Sequence, residues 1–166
     1  RPPDLGVRVI RLTQAPAWPV LLVLPSKQLP TAEARRVLPD SYSRRDAVAN
    51  VQNALLFLAA WVEDRPAMLA GIEDRLHEPQ RAALCPLLPA LRPLAGTRGI
   101  HGVSLSGAGP AVLLWLSADH ASAEVAGRVT ACLAAAGLQA ELVFTRVEME
   151  GGAATFPTPS VRSGSQ

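Results

Sequence analysis

A glycine-rich segment between two apolar runs has the residue types that could contact a phosphate. It reads SLSGAGP over residues 104–110, and glycines let a backbone approach a phosphate closely. A Walker A loop needs a lysine after its second glycine, and a dinucleotide-binding fingerprint needs a helix directly after its glycines. No lysine follows the second glycine, and the next residues, 111–116, predict a strand rather than a helix. By itself the segment therefore predicts a turn between strands.

Arginine carries nearly all of the positive charge in this chain. Fifteen arginines and one lysine stand against fourteen acidic residues, which leaves a formal net charge of +2. A guanidinium group can hold a carboxylate or phosphate through two parallel N–H bonds, so individual arginines are candidate anion-binding residues. The charges are scattered, and only seven aromatic residues are available to stack on bases. This composition argues against a nucleic-acid partner.

Length and composition predict one compact domain. The chain has 166 residues, 49% of them hydrophobic, which is enough for a real core. Its longest apolar run, residues 54–62, is nine residues long, whereas a membrane span needs about 20, and the first thirty residues do not resemble a signal peptide. Cys85 and Cys132 lie in Leu- and Ala-rich surroundings that predict reduced thiols rather than a bridge or a metal site. A cytoplasmic location without a membrane segment is therefore expected.

Hydrophobic periodicity predicts the elements that must position these residues. Strands are expected at 7–12, 20–24, 100–105, 111–116 and 138–147. Thr31 is expected to cap a short helix that stops before Pro39. A capping box at 43–46 predicts a long helix that runs to Val62. The apolar residues of this helix at helical spacing are expected to face the core: Val48, Val51, Leu55, Leu58 and Val62.

The remaining helices are predicted from prolines and caps. Asp64 and Pro66 predict a helix that ends near His77, and the prolines between 79 and 93 predict short, broken helices. Asp119 is expected to cap a last helix that reaches Gly137. Residues 150–166 have no apolar period and predict a loose tail. The order of elements indicates an α+β sandwich with a mixed or antiparallel sheet.

Four segments of the chain resemble one enzyme family. TAEARRVLP at 31–39 is similar to the Thr-x-x-Ala-Arg-x-x-Leu-Pro segment of homoserine kinases, and DAVAN at 46–50 resembles their Asp-Ala-Val-x-Asn helix. EDRLHEPQR at 73–81 is similar to their Asp-x-Leu-His-Glu-Pro-x-Arg stretch. Residues 104–110 resemble the third conserved motif of the wider family of kinases for galactose, homoserine, mevalonate and phosphomevalonate, the GHMP kinases. The resemblance spans about residues 7–147.

The resemblance implies a fold and a division of the chain. The implied fold is a ferredoxin-like two-layer α+β sandwich, with a mostly antiparallel sheet and helices on one face. Residues 1–18 would be the end of a preceding kinase domain or a connecting strand, 19–149 the GHMP-type C-terminal domain, and 150–166 a flexible tail. The family's Pro-x3-Gly-Leu-Gly-Ser-Ser nucleotide loop does not occur in this sequence. The chain is therefore expected to be the carboxyl-terminal part of a homoserine kinase, inactive by itself.

The activity implied for the complete enzyme is phosphorylation of the side-chain hydroxyl of L-homoserine by ATP with Mg²⁺, a step of threonine biosynthesis. Residues that match the family's grip on the substrate carboxylate are Thr31, Arg35 and Arg81. Residues that match the motif supporting the nucleotide loop are Ser106, Gly107, Ala108 and Gly109. The resemblance assigns no catalytic residue and no metal ligand. Its implied partners are the missing N-terminal kinase domain and, as an option, a second copy.

Two other functions stay open at this point. A GHMP kinase with a different small substrate, such as mevalonate, would share the third motif, and a non-catalytic amino-acid-binding module would share the fold. Individual residues also have simpler interpretations. Arg81 could pair with Glu78 or Asp74, Asn50 could be an amide linking helices, and His77 is predicted to make a structural hydrogen bond. No role is assigned to His101 or His120.

Overall fold

Four antiparallel strands form the single sheet of the computed structural model, which describes residues 16–120 and 122–148. They are β1 (Pro19–Pro25), β2 (Ile100–Leu105), β3 (Val112–Leu116) and β4 (Ala140–Arg146). Their order across the sheet is β2-β3-β1-β4. The strands predicted at 20–24, 100–105, 111–116 and 138–147 are confirmed, while the strand predicted at 7–12 and the tail at 150–166 lie outside the described residues.

Five α-helices and two short 3-10 helices connect these strands in the described part of the chain. The α-helices are α1 (Thr31–Arg36), α2 (Arg44–Val62), α3 (Glu78–Arg81), α4 (Leu87–Leu91) and α5 (Ser122–Ala135). The 3-10 helices are Pro66–Gly71 and Arg92–Leu94. The broken helices predicted from the prolines are confirmed by α3, α4 and the 3-10 turn at 92–94. No helix among the described residues is long and apolar enough to cross a membrane.

The main core lies between one face of the sheet and helices α4 and α5. Leu21 and Leu114 are fully buried there against Leu91 and Val129. The burial of β3 alternates along its five residues, as expected for a strand with one face against a core. The predicted α+β, ferredoxin-like two-layer sandwich with an antiparallel sheet is thereby confirmed.

A second, aromatic cluster lies at one end of the sheet, where α2 ends. The ring centroids of Trp18 and Trp61 are 4.9 Å apart, and those of Trp18 and Trp115 are 5.7 Å apart, both in edge-on geometry. Trp18 also donates its indole N–H to Asp64 Oδ1 at 2.6 Å. Aromatic pairs with this geometry contribute more than their buried area alone, so this cluster fixes the C-terminal end of α2.

The long helix is where the structure and the sequence prediction differ most. The capping box is confirmed, since Ser43 Oγ accepts the Asp46 backbone N–H at 3.0 Å. The predicted core-facing stripe is wrong, because its members are between 44% and 61% exposed: Val48, Val51, Leu55, Leu58 and Val62. The inward side of α2 instead carries Asn50 and Asn53 near its start and the aromatic cluster near its end.

Three helix boundaries also differ from prediction. The N-cap of α1 is Pro30, whose carbonyl accepts the Ala34 N–H at 3.1 Å, so Thr31 is the first helical residue rather than the cap. The helix predicted to reach His77 ends at Gly71 as a 3-10 helix. Helix α5 begins at Ser122, three residues beyond the predicted cap at Asp119.

Candidate functional site

The glycine-rich segment is a hairpin connection between β2 and β3. Leu105 and Val112 pair across the two strands. The Ser106 N–H donates to the Ala111 carbonyl at 2.9 Å, and the Gly109 N–H donates to the Ser106 carbonyl at 3.1 Å. Residues 106–109 therefore form a tight turn, as the sequence predicts.

The two glycines of the turn have different surroundings. Both have positive φ, +60° at Gly107 and +84° at Gly109. A Cβ on Gly109 would lie 2.6 Å from Cys85 Sγ, whereas a Cβ on Gly107 would meet nothing within 4 Å. Gly109 is thus required for packing inside this domain, and Gly107 has an open side. Of the two, only Gly107 leaves room for a ligand or a neighbouring segment to approach the backbone.

Arg81 brings the second predicted carboxylate-binding segment into contact with the first. It lies at the end of α3 and is only 7% exposed. Its Nε donates to the carbonyl of Ala34 in α1 at 3.0 Å. Residues 31–36 and 78–81, separated by more than forty positions in sequence, therefore meet at one corner of the domain.

The acids that could have neutralised Arg81 are engaged elsewhere. Glu78 pairs with Arg92, and Asp74 pairs with His77 at 2.8 Å. Among the residues that the structure describes, no carboxylate lies within ion-pair distance of Arg81. A nearly buried cation without a counter-ion is costly, so this corner favours an anion.

Thr31 and Arg35 lie on the other side of this corner. They are four residues apart in α1, which places them on one face of the helix. Both side chains are exposed, whereas Ala34 between them is fully buried. The structure thus places all three predicted substrate-binding residues on two adjoining segments, with Arg81 inside and Thr31 and Arg35 at the surface.

Cys85 links the arginine corner to the hairpin. It is buried one turn beyond Arg81, and its sulfur lies against Gly109. Burial raises the pKa of the Cys85 thiol, and the nearby Arg81 guanidinium opposes that shift. Cys85 is buried and Cys132 is half-buried, and neither is part of a disulfide in the structure. Contacts therefore run continuously from α1 through Arg81 and Cys85 to the turn.

An ion pair between the buried Glu78 and the partly exposed Arg92 holds α3 against the strand that leads into the hairpin. Glu78 is 6% exposed, its Oε1 accepts the Leu105 N–H at 2.9 Å, and its Oε2 binds Arg92. Arg92 also donates to the Val103 carbonyl at 2.6 Å. Neither role was predicted from the sequence. Glu78 thus fixes the end of β2 relative to Arg81, three residues further along α3.

The segment before α3 is held by polar side chains of α2. Asn50 Oδ1 accepts the Arg75 N–H at 2.8 Å, and Asn53 Nδ2 donates to the Glu73 carbonyl at 2.7 Å. Asp74 Oδ1 accepts the backbone N–H of His77 at 2.9 Å. Asn50 thus joins α2 to the irregular segment before α3 rather than to another helix, whereas His77 bonds to Asp74 as predicted. These contacts hold residues 73–77 in an irregular conformation before α3.

The turn differs from a phosphate-binding loop that opens a helix. The turn is followed by β3, so no helix N-terminus stands behind it to hold phosphates. Gly107 does offer an open backbone edge. No group of His, Cys, Asp and Glu side chains in the described ranges is arranged to hold a metal ion.

Comparisons with known proteins agree with this geometry. The family model described as "GHMP kinases C terminal" matches residues 58–135. The homoserine kinase of Solibacter usitatus is 43% identical over 116 residues, covering 69% of this chain and 38% of the relative. That of Desulfitobacterium hafniense is 37% identical over 139 residues, covering 83% of this chain and 46% of the relative.

A solved structure shows the same fold. The crystal structure of homoserine kinase from Cytophaga hutchinsonii superposes with a TM-score of 0.69 at 22% identity, covering 79% of this chain and 42% of that chain. Fold, hairpin and family match together identify residues 58–135 as part of a GHMP kinase C-terminal domain. Within that family, the curated relatives named above are homoserine kinases, and the chain spans less than half of their length.

Proposed function

We propose that the intact protein containing this chain transfers the γ-phosphoryl group of ATP to the side-chain hydroxyl of L-homoserine. In this proposal the chain supplies the grip on the substrate carboxylate, and the preceding part of the protein supplies most of the nucleotide site. The chain alone is expected to be inactive. The similarity to homoserine kinases over less than half of their length supports this assignment without testing it.

The observation that carries the proposal is the uncompensated Arg81 guanidinium at the corner between α1 and α3. One of its nitrogens is held by the Ala34 carbonyl, which orients the plane of the group. A carboxylate accepting from a planar guanidinium is fixed in direction as well as attracted. Arg35 and Thr31, on the exposed face of α1, would complete the grip from the solvent side.

A fixed substrate is what this reaction requires from the protein. Phosphoryl transfer depends mainly on positioning and charge stabilisation, so holding the carboxylate leaves the side-chain hydroxyl in a defined place. MgATP, when bound, supplies the phosphoryl group. The contacts from Arg81 through Cys85 to Gly109 and from Glu78 to Leu105 set the distance between the carboxylate corner and the turn. Gly107, at the open side of that turn, would face the nucleotide loop.

Lysine substitutions in the intact protein test the grip. Arg81→Lys and Arg35→Lys keep the charge but lose the planar guanidinium group. Each is expected to lower kcat/KM for homoserine, by a loss of transition-state stabilisation of about 1–3 kcal/mol, with KM for ATP little changed. The matched control is Arg36→Lys, because Arg36 is the neighbouring exposed arginine of α1. Its kinetics should stay near wild type.

The same enzyme preparation separates the alternatives. A panel with homoserine, mevalonate and related alcohols should show ATP consumption with homoserine. If mevalonate is used instead, the protein is another GHMP kinase. If homoserine binds but ATP is never consumed, it is an amino-acid-binding protein. Near-normal homoserine kinetics in both lysine variants would show that the carboxylate lies elsewhere.

A further inference from the structure

Strand β2 has backbone groups on its outer side that no other strand of the described sheet binds. It is the end strand of the order β2-β3-β1-β4. Directly after it, the Ser106 N–H donates to the Ala111 carbonyl on the side of β3. Because backbone groups alternate in direction along an extended chain, those of Leu105 and Val103 point to the opposite, outer side. Within the described sheet, β3 therefore holds this end of β2 on one side only.

One pair of side chains binds the outer side instead. Arg92 Nη1 donates to the Val103 carbonyl at 2.6 Å, and Glu78 Oε1 accepts the Leu105 N–H at 2.9 Å. The second nitrogen, Arg92 Nη2, binds the other carboxylate oxygen, Glu78 Oε2. A donor and an acceptor for adjacent backbone groups are what a neighbouring strand would supply. Both backbone groups are bonded within this domain, so the arrangement does not depend on what the rest of the intact protein places beside β2.

The Arg92 guanidinium joins three elements at one point. It belongs to the 3-10 helix Arg92–Leu94, and it binds both the backbone of β2 and Glu78 of α3. A planar guanidinium presents its N–H groups in fixed directions, whereas an ammonium is a single donor centre. Hydrogen bonds between charged groups are also shorter and stronger than neutral ones. Arg92 therefore sets the position of the end of β2 relative to α3.

Helix α3 also carries the arginine of the carboxylate corner. Arg81 lies three residues after Glu78, and its Nε donates to the Ala34 carbonyl of α1 at 3.0 Å. A shift of β2 against α3 would thus move the hairpin at 106–109 relative to Arg81. We propose that Arg92, acting through Glu78, is a positioning residue for phosphoryl transfer that holds the hairpin in place relative to the bound carboxylate. This inference rests on the proposed function.

Kinetics of the intact protein with homoserine and ATP test this role. Arg92→Lys keeps the positive charge, but one ammonium cannot bind the Val103 carbonyl and Glu78 in the directions that the guanidinium does. Arg81 keeps its own contact with Ala34, so homoserine should still bind. A misplacement of about 1 Å can cost about a hundredfold in rate. We expect kcat to fall by at least about tenfold, with KM for homoserine within about threefold of wild type.

The matched control is Arg128→Lys, the same substitution near the opposite end of β2. Arg128, in α5, donates to the Arg98 carbonyl and to Thr97 Oγ1 just before β2 begins. It also bridges two groups, but away from the hairpin. Urea unfolding should show a loss of stability in both variants, whereas kcat of Arg128→Lys should stay within about twofold of wild type. An equal fall in kcat in both variants would indicate general loosening of the sheet and overturn the proposal.

A double-mutant cycle tests whether Arg92 acts through Glu78. Glu78→Gln keeps an acceptor for the Leu105 N–H and removes the charge that Arg92 binds, so it should lower kcat as Arg92→Lys does. The double variant should fall little further than either single variant, because both remove the same contact. If Arg92→Lys does not fold, Glu78→Gln decides the question by itself.

The possible failures are distinguishable. Wild type that consumes no ATP with homoserine would refute the proposed function, and this inference with it. Active wild type with a normal kcat in Arg92→Lys, or with a raised KM alone, would overturn only the positioning role. Losses in kcat that multiply in the double variant would show that Arg92 and Glu78 act separately, which also overturns it.

Discussion

Replacing Glu78 by glutamine should reveal how strongly the arginine corner and the hairpin are joined. The change keeps the shape of the side chain and an oxygen for the Leu105 N–H, but it removes the charge that Arg92 binds. Removing one partner of a fully buried pair costs about 3–5 kcal/mol. The Arg92 side chain is 29% exposed, so solvent screening reduces the loss to about 1–3 kcal/mol.

Urea unfolding followed by circular dichroism measures this loss in the 166-residue chain. Thermal unfolding followed by the same signal should show Tm lowered by about 2–10 °C. Hydrogen exchange at the Leu105 amide gives a local reading, and it should accelerate by about tenfold for each 1.4 kcal/mol of weakened protection. The matched control is Glu124→Gln, because Glu124 faces Arg98 at 3.7 Å in an exposed pair. It should change stability by less than about 0.5 kcal/mol.

A loss of stability in Glu78→Gln no larger than that in Glu124→Gln would contradict this expectation. In that case the Glu78–Arg92 pair would contribute no more than an exposed pair, and the position of the hairpin would be set by the sheet alone. Unchanged exchange at Leu105 together with a large global loss would also contradict the proposed local role. Global stability therefore tests the Glu78–Arg92 pair, and exchange at Leu105 tests the effect of Glu78 on the end of β2.

Two further predictions concern the turn and a partly buried histidine. Gly109→Ala should destabilise the chain by about 2–4 kcal/mol, since it adds a close contact with Cys85 Sγ to the cost of a positive φ. Cys85→Ala in the same chain should recover part of this loss. Gly107→Ala, whose Cβ would meet open space, should cost only about 1 kcal/mol, so equal losses in urea unfolding would contradict the role of Gly109 in packing. Burial and then the His120 ring lower the pKa of His101 below 6.5, so the unfolded chain takes up the proton first and the free energy of unfolding should fall as pH decreases through about 6.5. His101→Asn should remove that part of the slope in urea melts between pH 5 and 8, and an unchanged slope would exclude His101 as its source.

The order of strands and helices could be predicted because it follows from local patterns in the sequence. The alternation in β3 and the Ser43 cap before α2 each involve neighbours in sequence. The direction in which α2 faces could not be predicted in this way. Periodicity marks an apolar stripe, but it does not say whether the stripe meets the chain's own sheet or another surface. Here Asn50 and Asn53 turn inward because the backbone of residues 73–75 needs their hydrogen bonds.

The candidate site was predictable in part for a similar reason. The resemblance pointed to Arg35 and Arg81, and their segments do meet, although no local rule joins positions so far apart in sequence. The Glu78–Arg92 pair was missed because its partners are long-range: Arg92 is 14 positions from Glu78, and the Leu105 N–H is 27 positions away. The available signal was an acid followed by proline at a helix start, which is also common in helices without such a role. Whether these residues bind substrate stays a prediction.

The aromatic cluster at the end of α2 provides an intrinsic fluorescence probe. All three tryptophans of the chain belong to it, and none lies beside the hairpin, which joins the opposite ends of β2 and β3. Tryptophan fluorescence therefore reports on a single region, the cluster that anchors the end of α2. A ligand bound at the arginine corner should leave the emission maximum in place, whereas loosening of α2 should shift it to longer wavelength. Any change in emission on adding substrate would then signal motion carried across the sheet rather than contact with the ligand itself.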